Sequence, residues 1–405
     1  MILRARHVLA APDGLIDNGA LRIHEGRIAE VGPAAGLAGE PVTDLGDGLL
    51  LPGLVNAHTH LELTHLAGRL PPRGNFADWV GRLVDALQAD GDRPDVVRQA
   101  VAGGRAACLA QGTTVVGDIS RLPNITRPEL AGGPLRVLSF GEVIAFGRLR
   151  HRLAERLEAA VNGGARSEFL EVGVSPHAPY TLEPDGLRTC VGRAVACGLR
   201  LCMHLAESRE EAAFTERLSG PIREYFERHG LWDGQVPRPG LSPIEYAAAT
   251  GVLGPDTLLA HVNYAGERDI RRLAGAGAHV VYCPRTHQAF GHQPHPFRSM
   301  LDAGVNVCLG TDSLASNPSL SVLDELRFLR SVHPDLPGRL LLDMATIRGA
   351  RALGLERLLG SISVGKQADL VFVPLAERSA DDPLEQLLSG PAYPSAVWVG
   401  GRPVL

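Results

Sequence analysis

The sequence predicts an α/β protein built as a (β/α)8 TIM barrel, and three observations carry that expectation. Between residues 52 and 360, short apolar runs alternate with amphipathic helical stretches, the pattern of β/α units around a parallel sheet. Eight such runs fall near 54–58, 113–118, 135–140, 169–175, 199–204, 257–261, 278–283 and 305–311, the number a closed barrel needs. His58, His60, His177, His204, His261 and Asp312 each stand at or just past the end of one of these runs. That is where a barrel of this kind gathers its chemistry.

The remaining elements follow in order. Residues 2–10, 19–24 and 27–31 look like short strands joined by Gly, Asp and Asn turns. Residues 368–373 and 396–401 look alike, and that tail is too short to fold alone. Both ends are therefore expected to build one small β-domain, 1–51 with 361–405, beside a catalytic barrel spanning 52–360. Stretches 78–87, 94–109, 182–197, 209–229 and 322–332 have helical periodicity and fill the gaps between barrel strands, while 237–243 is a Pro/Gly-rich loop.

Composition narrows the partners. With 405 residues, 45% hydrophobic and 21% charged, the chain can bury one large core. A net charge of -5 and a pI near 6.3 give no basic field for nucleic acid. Residues 1–20 carry Arg4, Arg6, Asp13 and Asp17, and no apolar stretch approaches the roughly 18 residues that span a bilayer, so the chain reads as cytoplasmic with no membrane partner. A small-molecule substrate is the expected partner, and a homo-oligomer stays open. The six cysteines include no C-x-x-C pair and read as buried free thiols.

His58-Thr59-His60 closes the first apolar run. Side chains alternate along a strand, so both imidazoles point to one side and can share a cation. His204 ends the fifth run, and Asp312 follows the eighth. Three imidazoles and one carboxylate make the donor set that a catalytic zinc or ferrous ion prefers, with a position left for water. One divalent ion per chain is expected, zinc before iron. Glu207, three residues after His204, is either a catalytic acid/base or a solvated loop charge beside Glu210 and Glu211. His261 is either a partner of the activated water or a satisfied core histidine. His177, between Pro176 and Pro179, is aimed by a stiff loop and reads as a substrate contact.

The stretch from Leu51 to His60, the Ser175-Pro176-His177-Ala178-Pro179-Tyr180-Thr181 loop, His204-x-x-Glu207, Gly310-Thr311-Asp312-Ser313 and the segment from Gly360 to Leu370 together resemble the amidohydrolase superfamily. More narrowly they are similar to its branch of cytosine, guanine, adenosylhomocysteine and aminodeoxyfutalosine deaminases with the triazine chlorohydrolases. The resemblance covers nearly the whole chain. It implies a barrel flanked by a β-sandwich from both termini, a single metal on His58, His60, His204 and Asp312, a proton-shuttle role for Glu207 and a water-orienting role for His261. Many two-metal relatives bridge their ions through a carboxylated lysine on the fourth strand, but the only lysine here is Lys366, far from that strand. Glu171 sits near the start of that strand and is poorly placed to substitute.

The implied reaction is hydrolytic deamination of an aromatic amidine, with Asp312 taking a proton from water and Glu207 protonating a ring nitrogen. Glu62 and Trp79, soon after the His pair, are candidates to bind a ribose and stack a base, or equally to pack the loop. Arg285, in Cys283-Pro284-Arg285-Thr286-His287, suits a substrate carboxylate or is an ordinary surface charge. The Leu61-Glu62-Leu63-Thr64 pattern with that loop is most similar to the aminodeoxyfutalosine deaminases of menaquinone synthesis, whose substrate joins an adenine nucleoside to a benzoate. Sister hydrolases of the branch and a metal-free scaffold of the same fold are the alternatives, and the second predicts missing ligands.

Overall fold

The computed structural model describes all residues except 12–13, 38–40, 91–92, 238 and 377–381. Five strands come first: β1 (Ile2–Ala10), β2 (Gly14–His24), β3 (Arg27–Pro33), β4 (Val42–Asp44) and β5 (Gly48–Pro52). The eight apolar runs become β6 (Leu54–Thr59), β7 (Thr113–Ser120), β8 (Arg136–Val143), β9 (Leu170–Pro176), β10 (Leu201–Leu205), β11 (Thr257–His261), β12 (His279–Tyr282) and β13 (Asn306–Leu309). The chain finishes with β14 (Leu370–Pro374), β15 (Ala396–Val399) and β16 (Arg402–Pro403).

Strands β6 to β13 pair in sequence order, each parallel to its neighbour. β6 and β7 are buried along their whole length, as parallel strands covered on both faces must be. The ring closes between the first and last barrel strands, where the backbone N–H groups of Thr311 and Asp312 donate to the His58 carbonyl at 3.2 and 3.1 Å. Asn56 locks the seam, its amide donating to Thr311 Oγ1 at 2.7 Å while its Oδ1 accepts the Thr311 N–H at 3.1 Å. A side chain at Gly310 would put its Cβ 2.8 Å from the His58 carbonyl oxygen, so this approach requires glycine.

The small β-domain expected from both termini is present as one hydrogen-bonded sheet in the order β16-β15-β14-β5-β1-β2-β3, with β4 also pairing β1. Its side chains alternate. Leu50, Leu370 and Phe372 pack with Leu3, Leu21 and Trp398 in a core of their own, whereas Leu49, Leu51, Val371 and Val373 join the main core with barrel residues. Arg136, at the start of β8, ties this sheet to the barrel through Asp369, with Nε to Oδ2 at 2.8 Å and a second contact to Oδ1 at 3.2 Å.

Two sequence expectations are corrected. The single helix expected over 209–229 is two, Arg209–Arg217 and Pro221–Arg228, because Leu218 and Gly220 adopt φ of 51° and 86° and Pro221 begins a new helix rather than continuing the first. The single strand expected over 396–401 is a hairpin, since Gly400 and Gly401 take positive φ and turn β15 into β16. Among the described residues no helix is long and apolar enough to cross a membrane.

Candidate metal centre

The barrel brings the predicted donors to one point. His58 and His60 lie on and just past the end of β6, His204 on β10 and Asp312 just past β13. Ring centroids of His58 are 5.1 Å from His60 and 4.9 Å from His204. His60 Nε2 and His204 Nε2 stand 3.2 Å apart, and Asp312 Oδ1 is 3.5 Å from His60 Nε2 and 3.8 Å from His58 Nε2. His58, His60 and His204 offer donor atoms within 4.8 Å of one another, as do His58, His261 and Asp312.

Chemistry decides whether this set fits a cation. His58 Nε2 is fully buried and has no hydrogen-bond partner, a costly state for a polar atom unless a ligand completes it. His204 Nδ1–H donates to the His177 carbonyl at 3.0 Å, which fixes the tautomer and leaves Nε2 with its lone pair turned inward. Burial drives the His58 and His60 imidazoles well below their usual pKa and His204 to about 4, so all three are neutral donors. Asp312 Oδ2 accepts a 2.7 Å bond from Ser316 Oγ, leaving Oδ1 on the imidazole side. The residues fit one divalent cation.

A buried carboxyl–imidazole pair adjoins this set. Glu207 Oε1 lies 3.6 Å from His261 Nε2, and both side chains are buried. Burial, then the nearby Asp312 charge, pushes the Glu207 carboxyl well above the usual carboxylate range. His261 is neutral for the same reason as its neighbours. Ala206, His261, Val262 and Asp312 all have left-handed φ, of 48°, 71°, 51° and 58°. Such conformations are costly for residues other than glycine and cluster where geometry serves chemistry.

The expected substrate contacts divide. His177 sits at the mouth, its ring 4.9 Å from His204, with Nδ1 2.8 Å from Thr181 Oγ1 and Nε2 3.7 Å from Glu142 Oε1. Glu62 is buried beside Arg121, its Oε1 3.3 Å from Arg121 Nε, and burial pushes its carboxyl up to about 7. Trp79 donates its indole N–H to the Leu70 carbonyl at 2.9 Å and packs against Phe76 and Phe290, so its N–H is spent on the loop. The Arg285 guanidinium bonds Ser319 Oγ at 2.9 Å and Asp324 Oδ2 at 3.4 Å, acceptors from the turn before the helix Val322–Val332 and from that helix's first turn. Glu171 is exposed at the start of β9, away from the mouth.

Several residues at the site carried no mark in the sequence reading. Glu142, at the end of β8, had a usable signal: a lone acid closing an apolar run. Ser316, Asn263 and His295 had none, since each matters through a partner distant in sequence or through a loop turn. His295, for example, donates from Nε2 to the carbonyl of His261 at 2.7 Å.

Known proteins share this fold. The amidohydrolase family pattern matches residues 49–404. A 5-methylthioadenosine/S-adenosylhomocysteine deaminase of Nitratidesulfovibrio vulgaris is 32% identical over 391 residues, covering 92% of this chain and 83% of its own. The crystal structure of an adenosine deaminase from Xanthomonas campestris with bound zinc superposes with a TM-score of 0.84 at 25% identity, over 100% of this chain and 92% of that one. Helicobacter pylori aminofutalosine deaminase, in complex with methylthio-coformycin, shares the fold with a TM-score of 0.87 at 23% identity, over the full length of both chains. On the match of nearly the whole chain and the donor set at its barrel mouth, this protein belongs to the amidohydrolase family.

Proposed function

We propose that the chain is a hydrolytic deaminase that removes the exocyclic amine of an adenine nucleoside. One observation carries this: His58, His60, His204 and Asp312 meet the Glu207–His261 pair at a single barrel mouth. The first four would hold one divalent cation, zinc by donor type or ferrous iron. Such a cation supplies Lewis-acid activation of water near neutral pH.

The chain's own residues supply the proton path. Glu207, whose carboxyl pKa burial raises well above its usual range, is the group that delivers a proton to a ring nitrogen of the bound amidine, making the adjacent carbon electrophilic. Asp312 accepts a proton from the attacking water at Oδ1, while Ser316 holds its other oxygen. His261 orients that water through Nε2. Asp312 then gives the proton it took from water to the leaving nitrogen, which departs as ammonia, while the proton of the new hydroxyl passes to Glu207 as the carbonyl forms and restores its acid form. His177, just past β9, and Glu62, in the short helix Leu61–Leu66 that follows β6, are the proposed contacts to the nucleoside.

The relative that acts on methylthioadenosine and adenosylhomocysteine supports an adenine nucleoside as the substrate class, and the zinc-bound adenosine deaminase supports zinc. Aminodeoxyfutalosine is one candidate of that class, alongside methylthioadenosine, adenosylhomocysteine and adenosine. Arg285, expected to face its benzoate, is committed to Asp324 and Ser319 instead, and we assign it no substrate contact. The test is an ultraviolet assay of zinc-loaded protein on those nucleosides, with cytosine, guanine and a chlorotriazine as comparators. An adenine-to-hypoxanthine spectral shift on a nucleoside is expected. Turnover of a comparator with every nucleoside untouched would reject the proposal.

A further inference from the structure

Glu211 is a buried acid that the proposed reaction does not use. It lies in the first turn of the helix Arg209–Arg217, four residues past Glu207. A carboxylate in that place ordinarily shares a reciprocal cap with the residue before the helix, and here the Ser208 hydroxyl accepts the Glu211 N–H while the Ser208 backbone N–H also faces the Glu211 carboxyl. The Glu211 carboxylate reaches further back. Its Oε1 accepts the backbone N–H of Ala206 at 2.9 Å and its Oε2 that of Glu207 at 2.8 Å.

Those two amides frame the left-handed turn at Ala206, φ 48°, through which the chain leaves β10 and presents Glu207. Alanine does not adopt that conformation unaided. The opposite side of the same segment is gripped from the turn after β11: Asn263 Nδ2 donates to the Glu207 carbonyl at 2.9 Å, and the Tyr264 N–H donates to the Ala206 carbonyl at 3.1 Å. The residue two before Asn263 is His261, whose Nε2 faces Glu207. Two buried side chains thus hold the peptide of the proton-transfer residue from both faces.

We propose that Glu211, with Asn263 opposite, is a positioning residue: its carboxylate clamps the Ala206–Glu207 segment in a left-handed turn and so aims the Glu207 carboxyl at His261 and the metal centre. The inference rests on Glu207 as the proton-transfer group of the proposed deamination. It assigns Glu211 a role in catalysis through Glu207 alone, without contact to substrate or metal.

The experiment compares Glu211→Gln, Asn263→Ala and Ser208→Ala in the full chain. Glutamine keeps the shape but turns an NH2 group against one of the two backbone donors. For the nucleoside that the wild type deaminates, Glu211→Gln is expected to lower kcat about 10- to 100-fold, the scale of a misaimed catalytic group. KM and zinc content should stay near wild type. In metal-free protein, amide hydrogen exchange at Ala206 and Glu207 should quicken about 10-fold or more, the mark of lost hydrogen bonds. Adding Ala206→Gly to Glu211→Gln should recover part of kcat, because glycine takes the left-handed turn without the clamp. Ser208→Ala, which removes only the helix cap, should lower Tm and leave kcat unchanged. Full kcat in Glu211→Gln, with Tm lowered as in Ser208→Ala, would overturn the proposal; so would full kcat in Asn263→Ala if the glutamine variant does not fold. A wild type inactive on every nucleoside rejects the functional reading instead. The exchange rates decide the clamp separately, and unchanged rates in Glu211→Gln overturn it.

Discussion

At the scale of single residues, the atom that most demands a ligand is His58 Nε2, fully buried with no partner. An ion that binds only the folded chain stabilises it, by about 2.7 kcal/mol at a hundredfold excess over Kd. Adding zinc to metal-free protein should therefore raise Tm, and His58→Ala should remove most of that rise, as differential scanning fluorimetry would record. Glu207 stands apart from the donor set, since it faces His261, and burial, more than the Asp312 charge, raises its pKa. Glu207→Gln should bind zinc like the wild type and lose about 10²- to 10⁴-fold in turnover, checked by metal analysis beside steady-state kinetics. The donors themselves were legible because a strand's end is a local feature: His-x-His on an apolar run needs no knowledge of the rest of the chain. Asn263 and His295 were illegible because each acts on a carbonyl contributed by another loop.

Among elements, the paired bond from Arg136 to Asp369 adds a charged tie to the apolar packing that seats the terminal sheet on the barrel. Asp369 is 3% exposed at its side chain and also accepts the Gly400 N–H at 2.8 Å. Arg136→Ala would leave that carboxylate buried without its cation, a loss on the order of 3 kcal/mol by the cost of breaking buried pairs. Urea denaturation should show the lower midpoint, with zinc binding by the folded fraction preserved. Barrel strands were readable to within a few residues, since parallel strands covered on both faces give continuous apolar runs. Elements joined by a tight turn were not. The break at Gly220-Pro221 and the hairpin at Gly400-Gly401 hide inside amphipathic or apolar stretches whose periodicity continues across the turn.

For the molecule as a whole, buried acids set a pH dependence. Glu325 is fully buried between Asn317 and the Arg285 backbone, and burial pushes its carboxyl from 4.5 up to about 8. A carboxyl raised on folding contributes stability that is whole below about pH 4.5 and is lost as pH climbs through about 8. Between about pH 5 and 8 the wild type should lose urea resistance more steeply than Glu325→Gln, which has no proton to give up. Equal slopes would show that Glu325 does not govern that loss.

Pattern along the chain was enough to place eight strands, both terminal β segments, and the four donors with Glu207, because strand periodicity and the residues at a strand's end are properties of a dozen neighbours. Folding in three dimensions was needed to say what each long side chain touches. Arg285 stands at the expected barrel mouth yet turns to Asp324, Trp79 gives its N–H to Leu70, and Glu211 reaches back to grip the peptide of Glu207. A flexible side chain at a loop has several partners within reach, and only the packing of the elements around it leaves one of them in place.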